Sequence, residues 1–279
     1  MIISGRSNLA CTIFFPKDCK KNCPFCTSKK LYKGKTPNLK EALRAINIAN
    51  CHSEIKEFVI TGGEPLSDLD TFKRIVNECQ KPVYANTIFP KMENIDEWVD
   101  YLNFSEKVKG ISVSRHLGVD WKDVVGIETL DRITKPVRIN CVKMDNDNFY
   151  SEIGKFIKKY GGKNRMINIR ADYTKITPLT LKNRNKMVNW LLENGTEIFS
   201  GGCMVCNENV FEIGGITVAY HRGLEHSSFT VGKKTFINDI LVLPNGEVYK
   251  DWDFQKDSEF DKWFGEIEAD LETLEKLRR

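Results

Sequence analysis

The chain has 279 residues, of which 41% are hydrophobic and 29% are charged, which is the composition of a globular protein with a sizeable core. The net charge of +4, from 42 basic and 38 acidic residues, is too small to indicate nucleic-acid binding by itself, so that question stays open. No apolar run approaches the roughly 20 residues of a membrane span, and the N-terminus lacks the pattern of a secretory signal. We therefore expect a cytoplasmic protein with no membrane partner.

Short apolar runs rich in Val, Ile and Phe alternate with helical patterns along the first two thirds of the chain. The predicted strands are 9–16, 57–63, 83–89, 110–114, 137–144 and 166–172. The predicted helices are 38–50, 66–79, 94–103, 121–134, 148–162 and 179–195. Successive strand–helix units predict parallel strands with right-handed crossovers, and six units are too few for a closed eightfold barrel. The expected fold class is α/β, a partial (β/α)6 barrel.

The pattern changes after about residue 200. Segment 235–252 predicts two strands joined by a Pro-Asn-Gly turn. The tail places a helical stripe of apolar side chains where it can dock on the core: Phe260, Trp263, Phe264, Ile267, Leu271 and Leu274. We therefore predict a barrel core over residues 1–200 and a C-terminal extension over 201–279, built from a β-hairpin and a helix on the substrate side.

Three cysteines follow the first predicted strand with the spacing C-x3-C-x2-C: Cys19, Cys23 and Cys26. In a reducing cytosol, clustered thiols are more often metal ligands than disulfides. A disulfide uses two thiols, and a structural zinc site usually needs four ligands. Three thiolates suit a [4Fe–4S] cluster that leaves one iron open for a non-protein ligand.

This motif, with Phe25 before its last cysteine, resembles the first motif of the radical S-adenosylmethionine (radical SAM) superfamily. The sequence TGGEP at 61–65, after the second predicted strand, looks like the second motif of that superfamily. The resemblance implies that the three cysteines ligate a [4Fe–4S] cluster and that S-adenosylmethionine chelates the fourth iron. It also implies that an electron from the cluster cleaves the sulfonium, giving a 5′-deoxyadenosyl radical that abstracts hydrogen from a substrate.

Within the second motif, the resemblance implies that Gly62, Gly63 and Glu64 contact the methionine part of the cofactor. The glycines allow close backbone approach because they lack a Cβ. Glu64 would accept a hydrogen bond from the ammonium group. The alternative for Glu64 is a helix cap or a surface carboxylate.

Further positions at strand ends resemble the branch that includes MoaA and the peptide-modifying SPASM proteins. Ser114 and Asn140 match polar cofactor-binding positions of that branch, although the acidic residue that usually follows the serine is missing here. Arg170 ends the sixth predicted strand and is suited to a carboxylate. Asn86 ends the third. The alternative for all four is a structural hydrogen bond.

Beyond the core, Cys203 and Cys206 form a C-x2-C pair in the region where this branch carries auxiliary iron–sulfur clusters. No cysteine follows the predicted hairpin, so a reduced pair packed in the core is the favoured alternative. Segment 220–228, which includes His221 and His226, predicts either a substrate pocket or a polar loop. A minority alternative has Cys141 facing the barrel interior to exchange a hydrogen atom.

Two classes of function remain open from the sequence. The first is a radical SAM enzyme acting on a nucleotide, a nucleobase or another small metabolite, with peptide modification second. The second is a non-catalytic metal-binding or electron-transfer protein that holds iron–sulfur or zinc. The TGGEP motif favours the enzyme, because a simple metal site does not need it. The resemblance implies a flavodoxin- or ferredoxin-type electron donor.

Overall fold

A computed structural model describes most of the chain. The described residues are 2–4, 9–26, 28, 36–143, 148–171, 178–201, 208–221, 228–237, 239–252 and 254–265. The strands are β1 Ile2–Ser4, β2 Leu9–Phe14, β3 Ile55–Thr61, β4 Val83–Thr87, β5 Val108–Ser114, β6 Val137–Lys143, β7 Arg165–Ala171, β8 Thr196–Gly201, β9 Glu208–Ile213, β10 Ile216–His221, β11 Phe229–Val231, β12 Lys234–Ile237, β13 Asp239–Val242 and β14 Val248–Tyr249.

Helices follow most of the central strands, as the apolar periodicity predicts. They are α1 Leu39–Cys51, α2 Leu69–Glu78, α3 Ile95–Phe104, α4 Ile127–Leu130, α5 Phe149–Tyr160 and α6 Pro178–Asn194, with a last helix, α7, over 258–265. Side chains cap the first two: Asn38 accepts from the amide of Glu41, and Asp68 accepts from the amide of Thr71. Their apolar faces are buried against the sheet.

The chain divides into two compact units, and the first contains both ends of the sequence. It comprises Met1–Lys20, Thr27–Ala85 and His226–Arg279. Its main sheet has the strand order β14-β13-β2-β3-β4, in which β13, β2, β3 and β4 are parallel. The β13–β14 pair is antiparallel, which confirms the hairpin predicted around the Pro-Asn-Gly turn. A small second sheet has the order β1-β12-β11.

Helix α7 docks on this first unit through the apolar side chains that the sequence indicates. Phe260 and Phe264 are buried. The imidazole of His52, at the end of α1, stacks on Phe264 with centroids 5.2 Å apart, and its Nε2 lies 3.1 Å from the carbonyl oxygen of Phe264. The remaining predicted stripe residues, Ile267, Leu271 and Leu274, lie outside the described residues.

The second unit comprises Lys21–Cys26 and Asn86–Glu225. Its strand order is β5-β6-β7-β10-β9-β8. Strands β5, β6, β7 and β10 are parallel, whereas β9 and β8 are antiparallel to their neighbours. Strand β10 therefore extends the parallel sheet with residues beyond position 200. The domain boundary at that position stays a prediction.

One predicted helix, 121–134, is much shorter in the structure, where only Ile127–Leu130 is helical. Hydrogen bonds to the preceding strand end hold the chain in another conformation. The indole Nε1 of Trp121 donates to the carbonyl of His116 at 2.8 Å, and the guanidinium of Arg115 donates to the carbonyl of Val125 at 3.0 Å. These tertiary contacts override the local helical periodicity. Among the described residues, no helix is long and apolar enough to cross a membrane.

Candidate functional site

The loop after β2 and the glycine motif after β3 touch each other in the first unit. Gly62 and Gly63 have φ values of 65° and 56°, in the region that favours glycine. A Cβ on Gly63 would lie 1.7 Å from the carbonyl oxygen of Lys17, so no other residue fits there. The amide of Glu64 donates to that same oxygen at 3.1 Å. The motif thus fixes the backbone two residues before Cys19.

Glu64 is buried, with 3% of its surface exposed. Its Oε1 accepts a hydrogen bond of 2.9 Å from the amide of Leu66, and so caps the single 3-10 turn Pro65–Ser67. The capping role that the sequence left open for Glu64 is therefore present, and it uses Oε1. Contact between Glu64 and a cofactor ammonium group stays a prediction.

The described cysteines fall into three classes of exposure. Cys19, Cys23 and Cys26 are half-buried, Cys51 is exposed, and Cys11, Cys79 and Cys141 are buried, with no disulfide among these seven. The motif cysteines are therefore thiols accessible from solvent, and their chemistry fits an iron–sulfur cluster. Cys19 belongs to the first unit and the other two belong to the second. Among described residues, no three His, Cys, Asp or Glu side chains form a ready-made metal site.

Residues 21–26 are held to the second unit by side chains on both sides of Cys23. The ammonium of Lys21 donates to the carbonyl of Asp120 at 2.6 Å and pairs with the carboxylate of Asp123. The ring of Phe25 meets His116 edge to face, with centroids 4.7 Å apart. The amide of Cys26 closes a turn on the carbonyl of Cys23 at 3.1 Å.

Arg115 stands where an acidic residue would follow Ser114, and its role is structural. Only 1% of its surface is exposed. Its guanidinium donates to the carbonyls of Ile88 at 2.7 Å, Ser114 at 2.8 Å and Val125 at 3.0 Å. A buried cation with three backbone acceptors joins three segments of the second unit, at Ile88, Ser114 and Val125.

His116 is also a packing residue. Its Nδ1 accepts a hydrogen bond of 3.0 Å from the amide of Val142, which places the proton of the neutral ring on Nε2. Burial lowers the pKa of His116 to about 3, and the charges of Arg115 and Arg170 act in the same direction. The ring is therefore neutral at ordinary pH and supports Phe25 beside Cys26.

Several predicted polar residues share one face of the second unit's sheet. The strand register places Ser114 opposite Asn140, and Asn140 opposite Asn168. The amide of Asn168 donates to the Oδ1 of Asn140 at 2.7 Å, and both side chains are buried. The sequence analysis did not identify Asn168. Its position two residues before Arg170 in β7 places both on the same face of the strand, and this spacing could have indicated it. Predicted residue Asn86 lies half-buried in β4.

Arg170 lies on this same face, two residues after Asn168, and belongs to a charged row. It is opposite His221 of β10, which is opposite Glu208 of β9. The Nε2 of His221 lies 3.1 Å from Oε1 of Glu208. The row was only partly anticipated, because Glu208 had no motif to mark it.

Other predictions stay untested or fall outside the described residues. Cys141 is adjacent in sequence to Asn140 and therefore points to the opposite face of the sheet, and its role in hydrogen-atom exchange stays a prediction. Burial raises the pKa of its thiol to about 12. The C-x2-C pair Cys203 and Cys206 lies outside the described residues, as does His226.

Comparison with known protein families gives a match to the Radical SAM superfamily over residues 13–120. This range contains the cysteine loop and the glycine motif. The matched segment is less than half of the chain, and it is similar to the Radical SAM superfamily. No curated protein sequence matches the chain.

Two solved structures resemble the chain at low sequence identity. One is SuiB of Streptococcus suis bound to precursor peptide SuiA, at 16% identity and a TM-score of 0.58, covering 92% of this chain and 64% of that one. The other is native anSMEcpe with bound AdoMet and the Cp18Cys peptide, at 16% identity and a TM-score of 0.54, covering 87% of this chain and 73% of that one. The chain thus spans less than two thirds of the length of SuiB. These likenesses show the fold alone, and they confirm the α/β partial-barrel class.

Proposed function

We propose that this protein is a radical SAM enzyme of the MoaA/SPASM-like branch, and that it abstracts hydrogen from a small-molecule or nucleotide-like substrate. The observation that carries the proposal is the contact between the two motifs. Gly63 lies against the carbonyl of Lys17 with no room for a Cβ, and the amide of Glu64 bonds to that oxygen. A glycine motif locked to the start of a cysteine loop is an arrangement that a simple metal site does not require.

In this proposal, Cys19, Cys23 and Cys26 hold the cluster, which supplies the electron that cleaves S-adenosylmethionine. Gly62, Gly63 and Glu64 contact the methionine part of the cofactor. The two glycines lack a Cβ, which allows close approach of the backbone, and the carboxylate of Glu64 accepts from the ammonium group. Asn86, Ser114 and Asn140 complete the cofactor side, and Arg170 contacts the cofactor or the substrate.

The substrate class rests on one face of the second unit's sheet, which carries Arg138, Asn140, Asn168 and Arg170. A nucleotide or another anionic metabolite matches those groups. Peptide modification is the second candidate, because the two solved structures above have bound peptides. A flavodoxin- or ferredoxin-type donor and a cytoplasmic location belong to the same proposal. An auxiliary cluster at Cys203 and Cys206 is a minor addition to it.

The alternative is a non-catalytic metal-binding or electron-transfer protein, and one experiment separates the two. The full chain is reconstituted anaerobically with iron and sulfide, iron is counted, and 5′-deoxyadenosine is measured after dithionite and S-adenosylmethionine are added. We expect about four irons per chain and 5′-deoxyadenosine. Both should be lost in Cys23→Ala and kept in the control Cys51→Ala, which removes an exposed thiol outside the motif.

Other outcomes are equally informative. About eight irons would establish the auxiliary cluster. Zinc without iron, or iron without 5′-deoxyadenosine, would reject the catalytic proposal in favour of the metal-binding alternative.

A further inference from the structure

A charged row crosses three neighbouring strands of the second unit. Arg170, His221 and Glu208 are successive register partners on β7, β10 and β9. Residues opposite one another in a sheet project from the same face, so the three side chains adjoin. His221 and Glu208 are joined by the 3.1 Å contact between Nε2 and Oε1.

Arg138 projects from this face as well. It precedes Asn140 by two residues in β6, and residues two apart in a strand share a face. The hydrogen bond from His221 is the largest cause that lowers the pKa of Glu208, and the guanidinium groups of Arg138 and Arg170 lower it further. The charge of Arg138 therefore acts on the row, and its side chain is exposed to solvent.

One hydrogen-bond acceptor in the row and one beside it have no donor among the described residues. Burial lowers the pKa of His221, so the ring is neutral, and its Nε2 proton faces Glu208. Its Nδ1 is then an acceptor, and this buried atom has no hydrogen-bond partner among the described residues. The Oδ1 of Asn168, earlier on the same face, is also buried without a partner within the described part of the chain. Such acceptors are costly unless a ligand satisfies them.

The charges of Arg138 and of the row favour the binding of an anion. Arg138 and Arg170 contribute two guanidinium groups, and Glu208 contributes one carboxylate that already receives the Nε2 hydrogen of His221. Guanidinium groups bind carboxylates and phosphates through paired N–H donors. The exposure of Arg138 leaves that guanidinium accessible to a ligand from solvent.

We propose that Arg138, Arg170, His221 and Glu208 form the substrate subsite for a carboxylate or phosphate group that has an O–H or N–H donor beside it. The arginines hold the anionic oxygens, and Nδ1 of His221 accepts from the neighbouring donor. Glu208 fixes the tautomer and orientation of the imidazole. This inference rests on the proposed function, because it assigns the substrate end of the same face of the sheet.

The test uses the reconstituted holoenzyme with S-adenosylmethionine and measures the binding of three probes by calorimetry: inorganic phosphate, acetate and glycolate. We expect millimolar or tighter binding in the wild type and at least a tenfold loss in Arg138→Gln. The control Arg132→Gln removes an exposed arginine of the same unit that pairs with Asp96 at the surface, and it should bind as the wild type does. Binding that is equal in both variants overturns the proposal.

The role of His221 has its own readout. Glycolate has an O–H beside its carboxylate and acetate does not, so glycolate should bind about fivefold more tightly, the effect of one additional hydrogen bond. His221→Leu should abolish this preference, and His221→Asn, which retains an acceptor, should restore part of it. A preference that survives in His221→Leu removes His221 from the subsite. The order of phosphate and carboxylate affinities decides which anion the substrate carries.

Different results would refute this inference and the proposed function. A wild-type protein that makes no 5′-deoxyadenosine fails the proposed function, whatever its anion binding. A wild-type protein that makes 5′-deoxyadenosine but binds none of the three probes overturns the subsite alone.

Discussion

Gly63→Ala tests the contact that joins the two motifs. The residue has a φ of 56°, and an added Cβ would lie 1.7 Å from the carbonyl oxygen of Lys17. Real Cβ contacts essentially never fall below 3.0 Å, so the two backbone segments must separate by about 1.3 Å (3.0 minus 1.7). That movement breaks the 3.1 Å hydrogen bond from the amide of Glu64 to the same oxygen.

The expected decrease in the free energy of unfolding has three parts. A left-handed conformation costs a residue with a Cβ about 1–2 kcal/mol, the lost hydrogen bond costs about 1 kcal/mol, and the enforced backbone shift costs about 1–3 kcal/mol. We therefore expect the free energy of unfolding to fall by about 4 kcal/mol. Because Lys17 is two residues before Cys19, iron binding should fall with it.

Gly214→Ala is the matched control. Gly214 has a φ of 57°, and a Cβ there would meet nothing within 4 Å. It should therefore show only the conformational cost of about 1–2 kcal/mol and keep its iron. The measurements are urea denaturation of the apoprotein and iron per chain after anaerobic reconstitution. Equal stabilities within about 0.5 kcal/mol, together with equal iron, would refute the close-approach argument.

Three further predictions concern the support of the cysteine loop in the second unit. Arg115→Met should lower the free energy of unfolding by about 3 kcal/mol, because it leaves buried carbonyls without donors; a loss below about 1 kcal/mol in a urea titration would contradict the buried-anchor role. His116 has a folded pKa of about 3, below its unfolded value near 6.5, so the unfolded state binds the extra proton and stability falls as the pH drops through that window. Urea titrations from pH 7 to 4 should show this slope, up to about 1.4 kcal/mol per pH unit, reduced in His116→Asn; parallel profiles would refute it. Lys21→Ala should speed alkylation of Cys23 and Cys26 in the apoprotein severalfold, whereas an unchanged rate by mass spectrometry would show that the bond to Asp120 and the pair with Asp123 do not restrain the loop.

The core of the fold was predictable because it depends on local patterns. The predicted strands at 9–16, 57–63 and 137–144 correspond to β2, β3 and β6, since continuous buried apolar runs have few alternatives in a parallel sheet. The predicted helix at 121–134 was wrong over most of its length. The side chain of Arg115 donates to the carbonyl of Val125 and that of Trp121 donates to the carbonyl of His116, and these tertiary bonds hold the segment in another conformation. Nothing in the local periodicity contains that information.

The sequence by itself determined the chemistry of the cysteine loop and the glycine motif, because both depend on residue type and on spacing within a few positions. Only the tertiary structure decided that Gly63 lies against Lys17 and that Arg115 is an anchor instead of a ligand. It also decided that Arg138, Arg170, His221 and Glu208 share one face. Strand register brings these residues together from β6, β7, β10 and β9, and register is set by long-range pairing that no short stretch of sequence records.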